Sequence, residues 1–173
     1  MVLTTHQVVG AAVVKVFSLN PVGALFAGIA SHYFLDSLPH WDYSLSSGKS
    51  KEGKLVDIEI GRGFVKDLFK LIPDLLLGLF LSIHFFSYSD FSNLAGIEKA
   101  FSDPILWGAV GGILPDALQF LYFKIRRQPL IWIQKFHDFF ASPEEIKGTE
   151  KQYLLGIIVQ VFIIFLAVIL FKN

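Results

Sequence analysis

The chain has 173 residues, of which 53% are apolar and 17% charged, where soluble domains average about 45–50% and about 25%. Phe occurs 18 times, the mean hydropathy is +0.55, and the composition is that of a membrane protein rather than a soluble or disordered one. The absence of cysteine excludes disulfides, thiolate metal sites and cysteine nucleophiles, and 15 basic side chains cancelled by 15 acidic ones exclude a nucleic-acid binder that relies on a basic surface.

The length suits one domain spanning residues 1–173. At its start, Thr4-Thr5-His6-Gln7 fits a capping box, with Thr4 as the N-cap and Gln7 three residues on. An apolar run follows to Leu19 and stops at Asn20-Pro21. This first helix is about 14 residues, near 21 Å, and so short for a full span. No basic segment precedes the run and Lys15 interrupts it, so it reads as the first arm of a helical hairpin rather than a cleaved signal peptide.

A second helix is predicted from Pro21 to about Leu38, followed by a polar loop, Tyr43 to Gly63, with Lys49, Lys51, Lys54 and Arg62. The third helix, Leu68 to Tyr88, is broken only by Asp74 and His84. The connection from Ser89 to Ala100 sets one lysine against Asp90 and Glu98. The fourth helix, Pro104 to Phe123, contains Asp116 and Gln119. A basic stretch from Lys124 to Lys151 includes a short amphipathic helix at Leu130 to Phe140, and a last span, Tyr153 to Phe171, is interrupted only by Gln160. The expected fold class is all-α: an integral membrane helix bundle of four full transmembrane helices plus a short N-terminal one. The distribution of lysine and arginine puts the two basic loops and the N-terminus in the cytoplasm and the C-terminus outside.

Ionisable groups in membrane segments are costly and mark functional sites. His32, Asp36 and His40 are spaced i, i+4, i+8 and share one helix face. His6 opens the first helix, Asp74 and Asp116 lie in the cytoplasmic parts of the third and fourth, and His137 and Asp138 sit on the amphipathic helix. On the topology drawn from lysines and arginines alone, all of these converge on the cytoplasmic side, as does Asp42. Ile72-Pro73-Asp74 and Leu114-Pro115-Asp116 repeat an aliphatic-Pro-Asp pattern, and Gly28 and Gly108 each stand eight residues before an aspartate, Asp36 and Asp116. Glycine at such points lets helices approach closely. His84 falls toward the opposite face and reads as structural, and Asp57, Glu59 and Arg62 read as a solvated loop face.

Imidazoles and carboxylates without thiolates suit zinc, with manganese or ferrous iron as alternatives. Such an ion lowers the pKa of water toward neutrality and serves hydrolysis. At headgroup level the natural substrate is a lipid or other phosphoester.

The segments Thr5-His6-Gln7-Val8-Val9-Gly10, Ser31-His32-Tyr33-Phe34-Leu35-Asp36 and Gly112-Ile113-Leu114-Pro115-Asp116 resemble the membrane-bound metal-dependent hydrolases of the YdjM type. These are distantly similar to the all-helical zinc phospholipase C and P1-type nucleases. The Ser-His-x-x-x-Asp element precedes the Leu-Pro-Asp element here, and the histidine-rich loop is reduced to Phe136-His137-Asp138-Phe139-Phe140. The resemblance implies a helical metal-dependent hydrolase of a bacterial inner membrane. The candidate metal ligands are His6, His32, Asp36, His40, Asp116 and His137, with Asp42 or Asp74 as the spare carboxylate acting as general base. A proton or metal-ion transporter, which should line the whole bilayer depth with ionisable groups, and a scaffold with a structural metal, which should close the ligand shell, are the competing classes.

Overall fold

The apolar runs fold as helices wherever proline and capping residues allow them to begin. In the computed structural model of the protein, residues 1–38, 40–51, 54–87, 99, 101–140 and 150–171 are described. Pro39, Asp90, Glu98, Lys147 and Lys172, which entered the predicted boundaries and topology, lie outside the described residues. The elements are α1 (Leu3–Phe17), α2 (Pro21–Asp36), β1 (Gly48–Lys51), β2 (Lys54–Ile58), α3 (Arg62–Phe86), α4 (Pro104–Ile125), α5 (Leu130–Phe140) and α6 (Glu150–Phe171).

The helical hairpin at the N-terminus forms as predicted. α1 ends at Ser18, whose φ of 48° is left-handed, and α2 starts with Pro21 in its first turn while the Asn20 side chain accepts a 2.8 Å hydrogen bond from Gly23 N. Among the described residues, three helices are long and apolar enough to cross a membrane: Arg62–Phe86, Pro104–Ile125 and Leu154–Phe171. α2, expected as a fourth full span, has 16 residues, about 24 Å, because it stops at Asp36. The outward residues of α6, among them Leu155, Ile158, Phe162, Phe165 and Ile169, are exposed, as a lipid-facing surface requires.

The protein is mostly helical, as expected, with a small antiparallel sheet added in the polar loop. β1 and β2 pair Gly48 with Ile58 and Lys49 with Asp57, and the register slips between Lys49 and Ser50. Nor is Asp57 simply solvated. Its carboxylate takes a 3.0 Å bond from Lys124 Nζ and lies 3.8 Å from Arg126, and the Lys124 hydrogen bond holds it below the usual carboxylate range. The hairpin is thereby tied to the end of α4. Its base is fixed by Asp67, which is buried and accepts from Ser46 N, Ser47 N and Ser47 Oγ at 2.9, 2.8 and 2.6 Å.

The bundle centre is α1, α2 and α4, and they meet backbone to backbone. A Cβ at Gly28 would strike the Gly108 carbonyl, one at Gly10 the same carbonyl, and one at Gly112 the carbonyl of His6. These contacts run α2 parallel to α4 and α1 antiparallel to both. Thr4 of α1 bonds Asp74 of α3, and Gln160 of α6 accepts from Val2 N at 3.0 Å. Accordingly α1, α3 and α6 begin, and α2 and α4 end, at the same end of the bundle. An apolar cluster that includes Val8, Ala11, Ala24, Phe86, Ile105 and Ala109 fills the interior away from that end.

Gly28→Leu is therefore expected to lower stability by at least about 1–3 kcal/mol in thermal unfolding of the detergent-solubilised protein. Gly61→Ala, with φ of −174° and nothing within 4 Å of the added carbon, should change it by no more than about 0.5 kcal/mol.

Candidate metal centre

The parallel run of α2 and α4 from the Gly28–Gly108 crossing carries His32 to the level of Gly112, and Asp36 to that of Asp116. His32 Nδ1 lies 2.7 Å from the Gly112 carbonyl. A carbonyl can only accept, so Nδ1 carries a proton, and in the neutral ring the lone pair is at Nε2. That Nε2 faces Asp36 Oδ2 at 3.1 Å, His137 Nε2 at 3.4 Å and Asp116 Oδ1 at 3.7 Å. His137 Nε2 in turn is 3.7 Å from both Asp36 Oδ2 and Asp116 Oδ1. Lone pairs so placed repel one another unless a metal ion or a proton stands among them.

One ligand atom from each of His32, Asp36, Asp116 and His137 lies within 4.8 Å of all the others. Four nitrogen and oxygen ligands at about 2.0–2.2 Å from a tetrahedral ion stand about 3.3–3.6 Å apart, close to the separations found. Fixing one ring nitrogen on a backbone carbonyl so that the other can ligate is the usual support of a metal-bound histidine. The Gln119 amide nitrogen, which can only donate, lies 3.5 Å from His137 Nδ1 and gives the second ring no such support. The buried cluster can hold a metal ion.

The other oxygen of Asp36 gathers the remaining predicted histidines. His6 Nε2 lies 3.2 Å and His40 Nε2 3.8 Å from Oδ1, and the terminal amine of Met1 sits 3.3 Å from it and 3.3 Å from Asp42 Oδ2. His40 Nδ1 donates to the Leu38 carbonyl at 2.7 Å, so in the neutral ring the lone pair is at Nε2. His6 is fully buried, stacks on His32 with ring centroids 4.1 Å apart, and neither ring nitrogen has a hydrogen-bond partner of proper geometry. An imidazole buried without such a partner, beside the carboxylate of Asp36, is a candidate ligand for a cation.

The structure thus brings together His6, His32, Asp36, His40, Asp116 and His137, with Asp42 at the margin. Asp74 stands elsewhere. It accepts from Thr4 N at 3.2 Å and from Thr4 Oγ1 at 2.6 Å, satisfying an orphan donor of the first turn of α1. This replaces the predicted capping box: the N-cap is Val2, with no side-chain bond, and Thr4 lies inside the helix. Burial and a hydrogen bond to Asp74 raise the Tyr43 phenol above its ordinary range, so Tyr43 remains a neutral donor. Asp138 turns away from the cluster and accepts from Gln134 at 2.8 Å. His84 stacks on Phe80 and packs against Phe85 in the last turn of α3.

Sequence reasoning passed over Gln160, Asp67 and Gln119. Gln160 accepts from Val2 N and donates to the Trp41 carbonyl at 2.9 Å, tying α6 to the segment that carries His40. Its signal was available, as the lone polar side chain in an apolar span. Asp67 and Gln119 carried no pattern that separates them from ordinary helix residues. In comparisons with known proteins, the chain matches no family model, no curated protein and no solved structure.

Because Asp74 caps α1 and lies apart from the four-ligand cluster, Asp74→Ala should cost about 1 kcal/mol of stability and leave the metal content of the purified protein unchanged. Thermal unfolding and elemental analysis of the same sample check both halves.

Proposed function

We propose that the protein is a membrane-embedded metal-dependent hydrolase that acts at the cytoplasmic interface of a bacterial inner membrane on a phosphoester or lipid substrate. The observation that carries this reading is the position of Asp116. It belongs to the buried four-ligand cluster, yet its side chain is 33% exposed and it borders a cavity of about 360 Å³ whose lining also includes Asp42. A cluster sealed on all sides would suit a structural ion. A cluster with one ligand on an open cavity gives a substrate access to it.

His32, Asp36, Asp116 and His137 would hold the ion, for which zinc is the best match to the nitrogen and oxygen donors, with manganese or iron as alternatives. His6 Nε2, 3.2 Å from the other oxygen of Asp36, would steady that carboxylate. A divalent ion there supplies Lewis-acid polarisation of a phosphoryl or carbonyl oxygen and makes nearby water more acidic. Asp42, on the same cavity, is the carboxylate placed to take a proton from the attacking water. Support for the membrane setting comes from the three long apolar helices, and for the cytoplasmic side from Lys49, Lys70, Lys124 and Arg126, which all lie at the cluster end through their contacts with the hairpin, its base and α4. The motif resemblance to the YdjM-type hydrolases points to the same chemistry. Against a transporter, the part of α4 beyond the glycine crossing, Pro104 to Ala109, and the part of α6 from Val161 to Phe171 carry no ionisable residue.

Elemental analysis of the detergent-purified protein should find near-stoichiometric zinc, manganese or iron, lost in a His32→Ala, Asp116→Ala double variant together with phosphodiester hydrolysis. Asp42→Asn should keep the metal and slow hydrolysis by about 10²–10⁴-fold. No metal even after reconstitution, or hydrolysis unaffected in the double variant, would overturn the proposal.

A further inference from the structure

The cavity that Asp116 borders has a shape and a polarity of its own. Its wall on α3 is built by Phe64, Leu68, Leu71 and Leu75, spaced 4, 3 and 4 residues apart and therefore on one helix face. That face extends about 16 Å along the helix. Ile113, Ala117 and Phe120 make the facing wall on α4, while Leu55 and Ile58 of the hairpin close over one side. Phe64 and Phe120 stack across it with ring centroids 5.6 Å apart. The polar lining is Asp42, Tyr43, Ser47, Asp67, Asp116 and Gln119, with Asp67 already engaged by Ser46 and Ser47. The rest of the lining is hydrocarbon, between two helices long and apolar enough to cross a membrane.

A soluble, polar substrate gains nothing from such walls, whereas a hydrocarbon chain leaving the bilayer would find a slot running along the same direction as the helices. The volume, about 360 Å³, is at the low end for small-molecule sites and fits one chain rather than two. Asp42 and Asp116, the latter a member of the ligand cluster, set the head. Asp42 and Asp116 would repel an anionic head by themselves and would accept one once a divalent cation stands among the ligands. From this we infer that the cavity is the chain-binding site of a single-chain lipid phosphate, its hydrocarbon lying between α3 and α4 and its phosphate ester at Asp116. The inference rests on the hydrolase reading and names its substrate class.

The test uses the full chain in nanodiscs, loaded with zinc, and a long-chain alkyl phosphate carrying a photoactivatable diazirine at the end of the chain. Cross-links should fall on residues 64–75 and 113–120. Unlabelled long-chain alkyl phosphate should compete and ethyl phosphate should not. Leu71→Trp fills the slot, and shutting out even two methylene groups is worth about tenfold in affinity, so labelling should drop at least about tenfold at unchanged metal content. If Leu71→Trp fails to fold, Ile113→Phe narrows the slot from the opposite wall with the same expected direction. Labelling spread over the outward residues Phe69 and Leu76, or labelling unchanged in folded variants, would overturn the inference while leaving the metal centre standing. A long-chain alcohol with the same diazirine, used with metal-stripped protein, separates the two readings. Labelling of the slot by the alcohol supports the chain site whether or not the protein is a hydrolase. Equal labelling by alcohol and phosphate after metal loading would overturn the phosphate head.

Discussion

Three helix backbones meet at Gly10, Gly28, Gly108 and Gly112 with no side chain between them, and the rest of the structure depends on that contact. Side chains at these positions would push α1, α2 and α4 apart by ångströms. The functional groups lie one and two turns farther on, where the separation they need is that of atoms sharing one ligand sphere. His32 reaches the Gly112 carbonyl only because α2 lies on α4 at this distance, and His6 stacks on His32 only because the backbone of α1 touches Gly112. Glycine costs some helix stability relative to alanine; in an apolar bundle that cost is offset by close dispersion contacts that no larger residue permits.

What the close packing assembles is electrostatically incomplete by itself. Asp36 is 6% exposed and meets imidazole nitrogens on both oxygens. Two of those rings, His32 and His40, donate from Nδ1 to backbone carbonyls, which in the neutral rings leaves Nε2 unprotonated. Burying carboxylates beside unprotonated nitrogens is costly unless cations compensate. The Met1 amine supplies one positive charge on the Oδ1 side, and the Oδ2 side, where two nitrogens and a second carboxylate converge, is left to the ion. Asp74 and Asp67, in contrast, are fully answered by hydroxyl and backbone donors and hold elements in place.

Much of this arrangement is legible in the sequence because the membrane simplifies the reading. Long apolar runs locate α3, α4 and α6, and the i, i+4, i+8 spacing puts His32 and Asp36 on one face. The matched eight-residue offsets from Gly28 to Asp36 and from Gly108 to Asp116 encode the shared register of α2 and α4, although the sequence alone does not reveal that the two glycines touch. The hairpin was hidden because Gly48–Lys51 and Lys54–Ile58 are too short and too charged to display a strand pattern. Its stability comes from Asp57 with Lys124 and from Asp67 with Ser46 and Ser47, contacts distant in sequence. The start of α1 was misread for the same reason: its first-turn donor is satisfied from α3, where no local capping rule reaches. α2 is shorter than its apolar content suggests: it ends at Asp36, and His40 reaches the cluster from the segment past its end.

The central claim is that four side chains from α2, α4 and α5 surround one divalent ion. X-ray absorption at the metal edge of the zinc-loaded protein tests it directly. The claim requires about four nitrogen and oxygen neighbours at about 2.0–2.1 Å, two of them imidazoles recognised by the outer-shell scattering of their rings, and loss of one imidazole in His137→Ala. A shell of oxygens with no imidazole scattering, or one that His137→Ala leaves unchanged, would contradict it.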